Sequence, residues 1–309
     1  MQLNDFVHMF GDDLKRRHGE KIHKLTLHGS FTCPNRDGTL GRGGCTFCNV
    51  ASFADEQAQV LPIAAQLQQR AGEATRARRY LAYFQAYTST YAEVDYLRQM
   101  YEEALTQADI VGLCVGTRPD CVPDAVLDLL AGYQAQGYEI WLELGLQSAN
   151  DATLRRINRG HDYRAYESAV IRARSRGLRV CTHLIVGLPG EQAMDSLQTL
   201  HQVVRTGTDG IKLHPLHVVT GSTLGKAWLA ERLTVPSEEE YVAAACAMIR
   251  HTPAQIVYHR VSASARRPTL LAPAWCENRW QAMVAISRRL AVEGAQGSAL
   301  GQPYAPMLR

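Results

Sequence analysis

Apolar residues gather in short runs that alternate with segments where they recur every three or four positions. Six runs rich in β-branched residues, 22–28, 80–87, 110–115, 138–146, 178–186 and 210–218, read as strands. Several are apolar almost throughout, the pattern of strands covered on both faces of a parallel sheet. Between them, Val94, Leu97, Tyr101, Ala104, Leu105 and Ala108 make one helical stripe and Val122, Val126, Leu129, Leu130 and Tyr133 make another. Segments 166–173 and 194–204 repeat the pattern. Gly137, Gly177 and Gly207 follow three of these helices, where a left-handed stop is favoured.

This recurrence argues for stacked βα units and a parallel sheet. Six units are fewer than a closed barrel needs, so the expected fold is α/β, a partial (β/α)6 TIM-type barrel. A doubly wound open sheet shares the periodicity, and either arrangement puts ligands at the C-terminal ends of the strands. From about residue 236 the alternation fades into a helix (238–250), a strand-like run (256–261), loops containing Arg and Pro, and a helix over 280–291. The expected organisation is a barrel with an N-terminal arm over 1–235 and an extension over 236–309 packed on it.

The 309 residues suffice for a full core without disulfide or metal staples. Hydrophobic residues at 46% and charged residues at 20% exclude a mainly disordered chain. No apolar run approaches the roughly 20 residues that span a bilayer, and residues 1–24 contain no apolar stretch of the secretory kind. A cytoplasmic protein that does not enter membranes is expected. The formal charge of +3 neither demands nor forbids nucleic acid.

Three of the eight cysteines fall close together after the first strand. Thr32-Cys33-Pro34-Asn35-Arg36-Asp37-Gly38 and Gly43-Gly44-Cys45-Thr46-Phe47-Cys48-Asn49 give C-x11-C-x2-C, with a glycine-rich gap that lets the backbone wrap a compact object. Thiolates on one loop suit zinc or an iron–sulfur cluster. Zinc would want a fourth ligand, for which His28 is nearest in sequence; a [4Fe–4S] cluster would keep one iron open for chemistry. Cys114, Cys121, Cys181, Cys246 and Cys276 lie far from this loop, mostly within predicted elements, and read as buried small apolar residues.

These two segments resemble the radical S-adenosylmethionine (SAM) superfamily, its Elongator-like branch, and within that the bacterial YhcC family of iron–sulfur oxidoreductases. The resemblance runs from about Lys21 to Trp275. It implies that Cys33, Cys45 and Cys48 hold a [4Fe–4S] cluster whose fourth iron is chelated by SAM. Gln85-Ala86-Tyr87-Thr88-Ser89-Thr90 stands where the superfamily usually has a glycine-rich turn for the SAM amino group; the glycines are missing, and Thr88 is the best-placed donor. Gly116-Thr117-Arg118 follows the third strand, and Gln147-Ser148 with Asn158-Arg159 follow the fourth. In coproporphyrinogen-oxidase-like relatives the matching Gln and Arg contact the SAM sugar and carboxylate. Gly187-Leu188-Pro189-Gly190 resembles the loop that meets the adenine, and His183 stands where those relatives carry an acidic ribose ligand. Phe47 is expected against the adenine or the cluster.

The chemistry implied is one-electron reduction of the sulfonium, release of a 5′-deoxyadenosyl radical and hydrogen abstraction from a substrate. Arg118, Lys212 and His214, the last two from Lys212-Leu213-His214-Pro215-Leu216, are substrate candidates, as is Arg260. Elongator-like enzymes act on wobble-uridine side chains of tRNA, which fits local clusters of Arg and Lys at 15–17, 70–79 and 172–179, above all His259-Arg260 with Arg266-Arg267 in the extension, and aromatic Tyr87, Tyr91 and Tyr258. A porphyrin-like small molecule is the alternative substrate, and a zinc or electron-transfer module the non-enzymatic one. A flavodoxin-type reductase as electron donor, tRNA and a partner methyltransferase are the expected partners.

Overall fold

Strands β1 (Ile22–Leu27), β2 (Arg79–Phe84), β3 (Ile110–Thr117), β4 (Glu139–Gln147), β5 (Arg179–Val186), β6 (Gly210–Pro215) and, after a two-residue strand β7 (Val218–Val219), β8 (Val257–Arg260) are seen in the computed structural model of the chain. It describes residues 2–49, 61–73, 78–107 and 109–302. Ala108 of the expected helical stripe and Arg76 of a basic cluster lie outside them.

All of these strands except β7 form one parallel sheet in the order β1-β2-β3-β4-β5-β6-β8. The order follows the chain without the reversal that defines a doubly wound sheet, so the curled partial barrel is the fold. The sheet holds one strand more than the rhythm of runs indicated. Run 256–261 supplies it: Gly210, Ile211 and Lys212 of β6 pair with Val257, Tyr258 and Arg260. The chain after residue 236 therefore contributes to the same sheet as the chain before it. Run 210–218 in turn breaks at Pro215, which has no N–H to continue a ladder. Val218 and Val219 pair antiparallel with β9 (Leu270–Ala272) instead.

Helices α3 (Ile63–Glu73), α4 (Val94–Leu105), α5 (Asp124–Ala135), α7 (Tyr163–Arg174), α8 (Ala193–Thr206) and α10 (Glu238–Arg250) pack against the strands. Their buried stripes, such as Leu97, Tyr101, Ala104 and Leu105, meet outward-facing strand residues in one continuous core. Gly137, Gly177 and Gly207 are left-handed, as their positions after helices indicated.

A second, smaller core fills the inside of the barrel at its N-terminal end. There Phe10 and Leu14 of α1 (Phe10–His18) pack with Leu81, Tyr83, Cys114, Trp141 and Cys181. Phe10 meets Trp141 edge-on at 5.3 Å and stacks on His259 at 3.9 Å. Each such fully buried large side chain is worth about 1.5–3 kcal/mol, so α1 acts as a plug. The floor is closed and the mouth at the C-terminal strand ends stays open. Among the described residues no helix is long and apolar enough to cross a membrane.

Candidate functional site

The open mouth leads into a cavity of about 350 Å³. Cys33, Cys45 and Cys48 line it, as do the expected cofactor contacts Phe47, Thr88, Thr117, Gln147, Arg159 and His183 and the substrate candidates Arg118, Lys212, His214 and Arg260. Ser148 and Gly187 do not line it. The Ser148 hydroxyl donates to Glu191 and accepts from the Asn150 N–H at 3.0 Å, bracing the start of α6 (Asp151–Arg156). Gly187, at φ +91°, lies so close to Pro236 that a Cβ would come within 2.5 Å of its ring. It fits the β5–α8 turn to the chain entering α10.

The cysteine loop is held from several sides. Cys33 precedes the single turn of α2 (Pro34–Asp37). Buried Asn35 donates to the Asn158 carbonyl at 2.6 Å, and Asn158 returns a bond to the Gly44 carbonyl at 2.8 Å. Thr46 N–H reaches the Ile157 carbonyl at 2.9 Å. Gly44, at φ +79°, lies against Arg36, whose guanidinium donates to the Cys48 carbonyl at 2.7 Å. Two donors point at the Cys45 sulfur itself, Asn35 Nδ2 at 3.6 Å and Arg159 Nη1 at 3.4 Å. A sulfur that receives N–H donors beside cationic guanidinium groups is suited to carry thiolate charge on iron.

None of the other five cysteines lines the cavity, and His28 does not either. His28 is buried, its backbone bound through both N–H and carbonyl by the Gln66 side chain at 2.9 and 3.0 Å. The donor set is therefore three thiols. Around them, polar atoms are left to meet something that is not protein: Thr88 Oγ1 and Arg118 Nη1 are buried without a hydrogen-bond partner. Arg118 is otherwise fixed by Asp120, with Nε at 3.0 Å and Nη2 at 2.8 Å. The three thiols and these orphaned groups fit a [4Fe–4S] cluster with one iron free of protein and a polar cofactor beside it.

Deeper in the barrel lies a charge network of which sequence reasoning captured only part. Glu143 is fully buried and accepts from Lys24 Nζ, from Lys212 Nζ at 2.9 Å and from His183 Nε2 at 2.7 Å, with His259 Nδ1 at 3.3 Å. Burial alone would raise its pKa, but the two ammonium groups hold the carboxyl well below the usual range. Lys212 also donates to the Tyr83 hydroxyl at 2.7 Å. Burial depresses Lys212 to about 8 despite Glu143, with Lys24 and Arg260 adding repulsion. His183 is held down to about 4, chiefly by burial. Glu143, Cys181 and His183 lie within 4.8 Å of one another in a metal-like grouping, yet the carboxylate already serves two ammonium groups. The signal in the sequence was a glutamate within a nearly all-apolar strand; His183, Lys212 and His259 stood out there only for other roles, and Lys24 not at all.

The description "Radical SAM superfamily" matches residues 33–203, and "Radical_SAM C-terminal domain" matches residues 208–291. The protein YhcC of Escherichia coli (strain K12) is 67% identical over 306 residues, 99% of this chain and 99% of that one. A tRNA uridine(34) acetyltransferase of Dehalococcoides mccartyi is 33% identical over 141 residues, 43% of this chain and 30% of its own length. Among solved structures, the archaeal Methanocaldococcus infernus Elp3 with an N-terminal deletion superposes with a TM-score of 0.62 at 17% identity, over 89% of this chain and 64% of that one. That likeness concerns the fold. A [4Fe–4S] cluster and SAM are this family's cofactors, and Cys33, Cys45 and Cys48 are placed to hold the cluster. With one family description spanning more than half of the residues and a relative two-thirds identical from end to end, the chain belongs to the radical SAM superfamily and is an enzyme of it.

Proposed function

We propose that this radical SAM enzyme removes a hydrogen atom from the side chain of a uridine in tRNA, at the wobble position. The stretch shared with the tRNA uridine(34) acetyltransferase carries the reading. When bound, the cofactor pair supplies reductive cleavage of a sulfonium and hydrogen-atom abstraction. The chain's own residues orient and enclose. Arg159, anchored on the Gly145 carbonyl, and Arg118, anchored on Asp120, present guanidinium groups to a carboxylate. The Thr88 hydroxyl offers a donor or acceptor, and Phe47, Leu216 and Val219 supply apolar wall that excludes water.

The test is a comparison of tRNA nucleosides from a deletion strain and its parent, grown with and without oxygen. One modified uridine is expected to disappear or to stop at a precursor. Matching profiles under both conditions would overturn the RNA part of the reading.

A small-molecule substrate is the second reading, and surface charge favours it. Arg172, Arg174, Arg176 and Arg179 are paired with Asp124, Asp209, Asp128 and Glu139 at 2.9, 2.5, 2.5 and 2.8 Å, and Arg17 also pairs with Glu139. The 172–179 cluster is largely neutralised by the protein itself, so RNA docking there would lean on a partner protein, such as a methyltransferase. A flavodoxin-type reductase would supply the electron. Salt-sensitive binding of bulk tRNA by the chain alone favours the first reading, and its absence the second.

A further inference from the structure

Five basic side chains, four of them guanidinium groups, line the cavity: Arg36, Arg118, Arg159, Lys212 and Arg260. Among the described residues no aspartate or glutamate lines it. Four of the five have partners. Arg36 donates to the Cys48 carbonyl, Arg118 to Asp120, Arg159 to the Gly145 carbonyl and Cys45 sulfur, and Lys212 to Glu143 and Tyr83. Arg260 has no carboxylate or carbonyl partner among the described residues, and its Nε is buried without a hydrogen bond. A half-buried guanidinium without a paired carboxylate is costly, so its place needs a reason.

The strand register supplies one. Arg260 on β8 is the cross-strand partner of Lys212 on β6, and Lys212 is the partner of His183 on β5. All three line the cavity, forming a row deep in the barrel and distinct from the cysteine loop. An ammonium has three donors; two of those on Lys212 are used within the protein, which leaves one for a ligand beside the guanidinium fork.

We propose that Arg260, seconded by Lys212, clamps a carboxylate carried by the substrate. A planar fork beside a point charge matches a carboxylate in shape and charge. A phosphate, doubly charged near neutral pH, would want a second unpartnered cation, and Arg260 is the single one among the described residues of this cavity. The clamp rests on the radical SAM reading of the cavity. It is indifferent to whether the carboxylate sits on a uridine substituent or on a free organic acid.

The experiment titrates the anaerobically reconstituted enzyme, with SAM present, against propionate, propionamide, inorganic phosphate, uridine and 5-carboxymethyluridine. Cluster absorbance and the melting temperature are followed in parallel. Propionate is expected to bind about tenfold or more tighter than propionamide, the scale of one charge-assisted pair. Arg260→Gln is expected to erase that preference and leave the amide where it was, while Arg260→Lys keeps part of it. Equal binding of acid and amide by the unaltered enzyme overturns the clamp even if no variant folds. So does an Arg260→Gln protein with the preference intact, or phosphate displacing propionate. An Arg260-dependent acid preference with no gain from the uridine ring keeps the clamp and sinks the nucleoside reading. Uridine binding that ignores the carboxyl group does the opposite.

Discussion

Glu143 lies between two ammonium groups and two imidazoles in the middle of the sheet, and no water reaches it. Its removal would leave Lys24 and Lys212 facing each other without an anion. Breaking a buried pair of this kind by deleting one partner costs about 3–5 kcal/mol. Glu143→Gln is therefore expected to lose stability on that scale in urea titrations of the cluster-free protein. A loss under about 1 kcal/mol would show that the lysines relax elsewhere. The cysteines make a sharper contrast. Cys45→Ala is expected to abolish cluster loading, read as visible absorbance after anaerobic reconstitution. Cys246, buried against the Ile286 carbonyl in the helical layer, can become Ala with loading intact. Equal loss in both would mean that the ligand set is misread. Lys212 gives a pH signature. Its proton leaves as pH rises through about 8, ahead of an ordinary lysine. The groups around it stay silent there: burial holds His183, His217 and His259 down to about 4, 4 and 3 and His214 well below its usual value. It also lifts Tyr83 and Cys181 well above theirs and Cys114 to about 12. Arg260 is lowered by burial but, as a guanidinium, starts far above this range. Propionate affinity is thus expected to fall several-fold from pH 7 to pH 9 and to stay flat in Lys212→Met. A drop that persists in the variant would place the titrating group elsewhere.

The elements that carry these residues differ in how plainly the sequence announces them. Strands β3 and β4 are apolar almost throughout, and the helices between strands show stripes ended by glycine, so the parallel sheet was legible in the sequence. The seventh strand was harder: a helix pattern over 238–250 precedes it, but β8 itself has only four residues and is followed by loops containing Arg and Pro rather than by another βα unit. What makes them a strand is tertiary, pairing with β6 on one side and a bridge from Met9 to Tyr258 on the other, with Tyr258 N–H on the His8 carbonyl at 2.8 Å. The cysteine spacing was equally plain, whereas Ser148 and Gly187, read as cofactor contacts, lie off the cavity wall and make their contacts with neighbouring turns. Both belong to motifs whose residue types serve either purpose, and only the direction of the side chain, or its absence, decides. Gly187 is testable as a structural hinge. A Cβ there meets Pro236 at 2.5 Å in a left-handed backbone, so Gly187→Ala is expected to cost about 1–3 kcal/mol in urea denaturation. A neutral result would free that loop for a cofactor role.

Across the described residues the N-terminal arm and the segment 253–296 meet on one side of the barrel. The N-terminal arm lays α1 over the floor, and β8 closes the sheet beside it. The Gln296 side chain accepts the His8 N–H at 2.9 Å and donates to the Pro253 and Ile256 carbonyls at 2.9 and 2.8 Å. His259 on β8 is sandwiched between Phe10 and the Glu143 network, and Arg260 beside it enters the cavity. The residues after 236 thus complete the interior that the earlier ones begin, which makes division at that point physically expensive. A chain ended at residue 235 would expose the open edge of β6, uncover Phe10 and Trp141, and lose the imidazole between Lys24 and Glu143. Exposed strand edges and apolar patches of this kind drive association. Such a fragment is expected to elute as aggregate and to melt without a cooperative transition by circular dichroism. If it instead runs as a monomer with a sharp melt and still loads a cluster, the barrel is a self-sufficient unit. The C-terminal segment would then be a substrate-binding addition, and Arg260 would be the residue by which that addition reaches the reaction.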